Sequence, residues 1–324
     1  FDPERRLTAL GRELARLPVH PRIGAMLLEA KQLDLLPLGC EIAALLEERD
    51  SFRGFDGADL RERILRMRSN PGAFRNQLVI KKQLLSLMGG RDGRCEVDET
   101  GILVASAFPD WIGKARGRHG RAYLLSGGAG AQLADGDDLC ANEFLAVARL
   151  SGSSGRDPVI RLAVPVELDV LLERFGDRIE SVDSVEFDPE KERAYAYRET
   201  RLGALTLAST MQGEPPEYLL ARSVLYAAVK RNMELPPPEA KAARQLFDRV
   251  AFARGQEPKR YPNWNFHFED QVAPYLERVH SFADLRKLDW LSLLRNLLGF
   301  ELLRELDSAY PEMFTTPAGA KHRI

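Results

Sequence analysis

The spacing of apolar residues changes near residues 99 and 211, and this limits the available folds more than any single motif. Before residue 99 the spacing is helical. Ile23, Met26, Leu27, Ala30 and Leu33 recur at i, i+3, i+4, i+7 and i+10, one stripe of an α-helix. Pro21 suits the first turn of that helix, where an N–H has no partner to lose. Ile42, Leu45 and Leu46 mark the inward face of a second helix over 41–48. Segments 58–68 and 72–88 read as two more, the latter led by Phe74, Leu78, Leu85 and Met88. Pro37, Gly54, Gly57, Pro71 and Gly89-Gly90 punctuate them. Helices with one apolar stripe and short connections predict a small bundle.

From about residue 99 the runs shorten. An apolar segment, 102–108, ends at Pro109, and runs at 122–125, 144–150 and 159–164 follow. Turns such as Ser126-Gly127-Gly128 and the segment 151–155 separate them. Runs at 182–187 and 193–197 flank Asp188-Pro189-Glu190, a turn between strands, and 167–175 reads as one helix. Short strands with such turns fit a small Greek-key barrel of the OB kind. After about 211 helical spacing returns, over 218–232, 239–254, 270–280 and 288–306. The fold class expected is therefore α+β and multidomain: a helical bundle, then an OB-like β-barrel, then a mostly helical C-terminal domain.

The 324 residues are enough for two or three domains. A net charge of -2 gives no global attraction for nucleic acid, so any such binding must come from a local patch. Cys40, Cys95 and Cys140 lie far apart, with no Cys-x-x-Cys and no Cys/His pair at metal-ligand spacing. This composition predicts a reduced, cytoplasmic protein without structural zinc. The longest apolar stretch, 288–303, is broken by Asp289, Arg295 and Glu301, so no membrane span is expected. Residue 1 is Phe and the opening is charged, as expected if the sequence starts inside a longer protein. The sequence has no Gly-x-x-x-x-Gly-Lys-[Ser/Thr] phosphate loop, no His-Glu-x-x-His and no Gly-x-Ser-x-Gly. Gly127-Gly128-Ala129-Gly130 lacks the lysine and hydroxyl that would hold phosphate and magnesium, and reads as a hairpin turn.

Leu7-Thr8-Ala9-Leu10-Gly11-Arg12-Glu13-Leu14-Ala15-Arg16-Leu17-Pro18-Val19-His20-Pro21-Arg22 resembles the passage from winged-helix to ratchet domain in DEAH-box helicases. Met26-Leu27, Gly39-Cys40 and Ala43-Ala44-Leu45-Leu46 continue the pattern. Ala107-Phe108-Pro109-Asp110-Trp111-Ile112, Tyr123-Leu124-Leu125 and Gly130-Ala131-Gln132-Leu133 resemble the OB-like domain of the HrpB type of these helicases. Trp111 stands where that family often has Arg, and Gly113 where it has Ala. Arg201-Leu202-Gly203-Ala204-Leu205-Thr206-Leu207, Leu306-Asp307, Ala309-Tyr310-Pro311 and Thr316-Pro317-Ala318-Gly319 resemble its later strand and tail. The resemblance implies the end of a winged helix over 1–20, a ratchet bundle over 21–98, an OB-like domain over 99–211 and a family-specific domain over 212–324, with both ends trimmed. It also implies a parent helicase that uses ATP and magnesium to move along single-stranded nucleic acid, taken to be RNA. Its nucleotide chemistry would sit on RecA-like domains outside this segment. The segment itself is expected neither to bind nor to hydrolyse ATP, and to carry no catalytic residue, cofactor or metal.

Two sets of cations are candidates for nucleic-acid contact. Lys114, Arg116, Arg118 and Arg121, with His119 among them, fall within eight residues without an intervening acid. On a Gly-containing loop of a barrel they could follow a phosphate backbone, or form only a solvated hairpin tip. Arg75, Lys81 and Lys82 form the second set. Arg75 and Lys82 are two helical turns apart and share a face, although charged outer faces are the ordinary state of amphipathic helices. Trp264, Phe266, His267 and Phe268 could stack bases but read first as core. Asp135, Asp137 and Asp138 read as a turn. Two functions follow: a wall of a helicase channel, or a protein-docking platform for a regulator or cell-envelope partner.

Overall fold

The structure, a computed structural model, describes residues 6, 8–47, 57–117, 120–152, 157–211, 213–264, 267–316 and 319–323. It contains two compact units, residues 1–180 with 200–207 and residues 181–199 with 208–324.

The first unit opens with six helices: α1 (Ala9–Leu14), α2 (Pro21–Gln32), α3 (Leu36–Glu47), α4 (Leu60–Ser69), α5 (Arg75–Met88) and α6 (Thr100–Ala107). The apolar stripe of α2 is buried as its spacing predicts, through Ile23, Met26, Leu27 and Ala30. His20 caps the helix by accepting from the Arg22 N–H. Helix α3 starts five residues before the predicted boundary because Pro37 falls in its first turn, where proline costs no hydrogen bond. Gly39 lets α2 and α3 approach closely: a Cβ there would lie 2.6 Å from that of Ala30. The apolar segment 102–108 forms α6, buried on nearly every side, so it lacks the one-sided stripe that marks a surface helix.

A closed barrel follows, with β1 (Ile112–Ala115), β2 (Ala122–Leu125), β3 (Gly130–Gln132), β4 (Phe144–Ser151) and β5 (Val159–Pro165) in the order β1-β2-β3-β5-β4. The β3 and β5 strands pair in parallel at Gln132 and Val159; the other neighbours are antiparallel. The Gly127-Gly128 segment is the turn between β2 and β3. Strand alternation divides β4 between two cores. Leu145 and Val147 fill the barrel with Tyr123, Leu125 and Ala131. Phe144, Ala146 and Ala148 face the other way and join the core that contains α2, α3 and α6. A register shift opposite Arg149 and Leu150 inserts Arg161, so Ile160 and Ala163 both enter the barrel core while Leu162 and Val164 join the helices. The change of spacing near residue 99 is thus a change of element type inside one unit.

After α7 (Leu168–Arg174), strands β6 (Ile179–Asp188), β7 (Arg193–Leu202) and β8 (Leu205–Thr210) form a three-stranded sheet in that order. Within it the chain passes from one unit to the other. The second unit then adds α8 (Glu217–Lys230), α9 (Lys241–Gln256), α10 (Phe268–Val272), α11 (Phe282–Lys287), α12 (Trp290–Leu298), α13 (Phe300–Ala309) and a ribbon of β9 (Met313–Thr315) and β10 (Lys321–Arg323). Two predicted helices are shorter or divided. The helix expected over 270–280 ends at Val272, because Pro274 has no N–H to continue it. The one expected over 288–306 is split into α12 and α13 by Gly299 at φ 78, a left-handed conformation that suits glycine. Val224, Val250, Phe282 and Trp290 centre this unit's core. Trp264 and Phe268 belong to it at 5% and 7% exposure; Phe266 lies outside the described residues. No described helix is long and apolar enough to cross a membrane.

Candidate nucleic-acid interface

The first basic set sits where β1 leaves the barrel towards β2. Lys114 is on β1, opposite Leu124 and Phe144. Its ammonium donates to the Thr206 carbonyl at 2.7 Å, lies 3.4 Å from Glu143 and sits over the Phe144 ring. The strand's geometry turns this cation onto its own protein. Arg116, one residue past the strand, is exposed; its backbone N–H donates to the Ala122 carbonyl, while its side chain has no partner among the described residues. Arg121 is about half exposed and pairs with Asp135, itself almost fully exposed. Such a pair in water is weak and open to exchange with a competing phosphate. Arg118 and His119 lie outside the described residues.

The second set divides in the same way. Arg75 and Lys82 are exposed on one face of α5, as their spacing predicts. Lys81 turns inward: it is 3.1 Å from Glu41, 2.8 Å from Asp92, and 11% exposed. Burial opposes its charge, but Asp92 and Glu41 outweigh burial and hold its pKa above the ordinary lysine value. The Glu41 carboxylate also takes a two-nitrogen fork from Arg68, at 2.7 and 3.1 Å. These groups floor a groove of about 1140 Å³ rimmed by Arg66 and Arg94. Arg91 and Arg94, both exposed, were not among the candidates. Their signal is Gly89-Gly90-Arg91-Asp92-Gly93-Arg94, a basic turn just past a helix end.

One pairing joins the two recognisable motifs. Arg22, at the start of α2, forks onto Asp110 at 2.6 and 3.0 Å. Its guanidinium lies 5.7 Å from the centres of both the Phe108 and Trp111 rings, which stack on each other at 5.2 Å. The Arg22 hydrogen bonds hold the Asp110 carboxyl below its ordinary range. The Asp110 carbonyl accepts from the Gly127 N–H, so the fork also fixes the turn after β2. Asp137 has a structural role too: it caps the turn at 138–141 and accepts from the Ala58 N–H. Among the described residues no group of three or more His, Cys, Asp or Glu side chains could hold a metal. The exposed guanidinium and ammonium groups of Arg75, Lys82, Arg116 and Arg121 can attract a polyanion.

No protein-family model matches the chain. It is 30% identical over 325 residues to the ATP-dependent RNA helicase HrpB of Escherichia coli (strain K12), an alignment covering 98% of this chain and 39% of that protein. A crystal structure of the E. coli DExH-box NTPase HrpB matches over 98% of this chain and 39% of its own, with a TM-score of 0.55 and 30% identity. A second crystal structure, of the Escherichia coli DEAH/RHA helicase HrpB, matches with a TM-score of 0.54 and 28% identity, again over 98% of this chain and over 40% of the other. The chain thus spans about two fifths of the length of the relatives it matches. Along nearly its whole length it is related to the C-terminal part of HrpB-type DEAH-box helicases.

Proposed function

We propose that this chain is the accessory C-terminal module of an ATP-dependent helicase. Its ratchet bundle (21–98) and OB-like barrel (99–211) form one wall of a channel for single-stranded nucleic acid, taken to be RNA. The segment 1–20 ends a winged helix, and 212–324 is the family-specific domain. The module braces RecA-like domains that bind ATP and magnesium in the parent protein, and works in the cytoplasm. The observation that carries this reading is the alignment of 98% of this chain with 39% of HrpB, whose name is that of an ATP-dependent RNA helicase. The strand order of the barrel supports the OB-like assignment. The exposed cations Arg116 and Arg121 at the β1–β2 turn, and Arg75 and Lys82 on α5, support the channel wall.

Titration of a fluorescent single-stranded RNA into the chain at several salt concentrations tests it. Neutralising Arg75, Lys82, Arg116 and Arg121 to Gln should weaken binding and lower the salt slope by roughly 0.7 per lost contact. The loss should be nearly independent of base sequence, because backbone contacts do not read bases. The control neutralises Lys230 and Arg231 in the second unit. Unchanged affinity and slope would remove these side chains from the path.

A further inference from the structure

The second unit contains a cavity of about 840 Å³ that the helicase reading does not use. One wall is the outer face of α9, where Lys241, Asp248 and Phe252 follow at helical spacing; the other is Tyr310 and Pro311 at the end of α13, with Pro238 closing one side. Phe252 is 60% exposed and meets Tyr310 edge to face, so an apolar surface stands open at this end. The remaining charges of the wall are satisfied internally. Arg244 pairs with Glu234 at 2.9 Å, and Arg249 with Asp307 at 2.7 Å. Lys241 and Asp248 are exposed and have no partner among the described residues. The open groups are thus one cation, one anion and one aromatic ring, in that order along a helix.

This charge order selects the occupant. A nucleic-acid strand would meet Asp248 with its phosphates in the middle of the groove, where like charges repel. A peptide carries both signs and can match them. Lys241 and Asp248 are seven residues apart, about 10 Å along the helix, and Phe252 is about 6 Å further. An extended peptide advances about 3.3 Å per residue. We infer that this groove binds an extended segment of a partner protein with an acidic residue, a basic residue three positions on, and an apolar residue two beyond that. The acid meets Lys241, the base meets Asp248, and the apolar side chain packs on the surface that Phe252, Tyr310 and Pro311 present to the cavity. Both charged contacts are half-solvated and supply specificity, while the apolar anchor supplies most of the affinity.

The test is selection of a displayed library of random dodecapeptides on the full 324-residue chain and on a charge-exchanged variant, Lys241→Glu with Asp248→Lys. The parent should enrich acid-x-x-base-x-apolar, and the exchanged variant base-x-x-acid-x-apolar. A synthetic peptide from the parent selection should lose at least tenfold in affinity on the exchanged variant, and Phe252→Ala should abolish the apolar preference. Should the exchanged variant not fold, Lys241→Gln and Asp248→Asn, read singly, each remove one charged preference. The same pattern on parent and variant, or no pattern on either, overturns the proposal. So does a single-stranded oligothymidylate whose binding to the parent falls tenfold on Lys241→Glu, since that places nucleic acid in the groove.

Discussion

Glu41 in the first unit and Arg249 in the second are each 3% exposed, carry opposite charges and are neutralised in different ways. A carboxylate can only accept hydrogen bonds, so Glu41 must draw donors from other elements. It takes Arg68 from α4 and Lys81 from α5, and so ties three helices together. A guanidinium can only donate, and its acceptors are at hand wherever a helix ends. Arg249 donates to the Leu306 and Tyr310 carbonyls at the end of α13 and to Asp307 on the same helix. A cation there also meets the favourable end of the helix dipole. The buried anion thus draws in the largely buried cations of two other helices, whereas the buried cation is shared between two carbonyls and the half-exposed carboxylates of Asp307 and Glu312. Lys81 is withdrawn from the surface because the carboxylate it pairs with is buried.

The largest effect expected from this contrast is at Glu41. Glu41→Leu leaves the largely buried Arg68 without its carboxylate and Lys81 with Asp92 alone, and should cost about 3 kcal/mol of first-unit stability. Adding Arg68→Leu and Lys81→Met should recover most of it, because no buried charge is then left unpaired and the remaining carboxylate, Asp92, is exposed. Urea unfolding followed by Trp111, the tryptophan of the first unit, reads both variants once Trp264 and Trp290 are replaced by Phe. Equal instability in the single and triple variants would break the contrast. Next is Arg249→Met, which should cost the second unit about 2 kcal/mol, because helix-end carbonyls recover water more readily than buried cations do. Fluorescence of Trp264 and Trp290 reports it, and a cost above that of Glu41→Leu would reverse the order.

A smaller effect separates two neighbours that look alike in the sequence. Lys114→Met should lower stability by about 1 kcal/mol through the lost bond to Thr206, and leave the salt slope of RNA binding unchanged. Arg116→Gln should change stability by less than about 0.5 kcal/mol and lower the slope by roughly 0.7. The smallest effect is a dependence on pH. Arg22 holds Asp110 below its ordinary value, so the folded chain binds that proton more weakly than the unfolded one. Its stabilisation is full above the unfolded pKa, about 3.9, and is lost as pH falls through the folded one. The gap in unfolding midpoint between the parent and Asp110→Asn should therefore be constant above about pH 5 and shrink below about pH 4. Glu217, held down in the second unit by its hydrogen bond to His280, should behave alike. A gap that widens on acidification would contradict both assignments.

Where the sequence was legible, the determining contacts were local. The stripe from Ile23 to Ala30, the strand 122–125 and the turn after it all depend on neighbours within one or two turns of chain. The candidate site was less legible because its partners are remote. Lys114 is satisfied by a carbonyl 92 residues on, Lys81 by a carboxylate 40 residues back, and Arg22 by Asp110 88 residues away. Spacing placed Arg75 and Lys82 on one face, but no window around Lys81 reveals that Glu41 will be buried beneath it. Helix α6 was obscured for a different reason: packed on nearly all sides, it has no polar face to set its period.

The double-sided burial of β4 has a consequence for how the first unit opens. Its even-numbered residues, Phe144, Ala146 and Ala148, are sealed by the helical core, and its odd-numbered ones, Leu145 and Val147, by the barrel. Neither half can detach without exposing the other's apolar surface. Amide hydrogens of β4 should therefore exchange only when bundle and barrel come apart together, as a single cooperative event. A barrel excised alone would carry an open strip of Phe144, Leu162 and Val164, and should associate with itself.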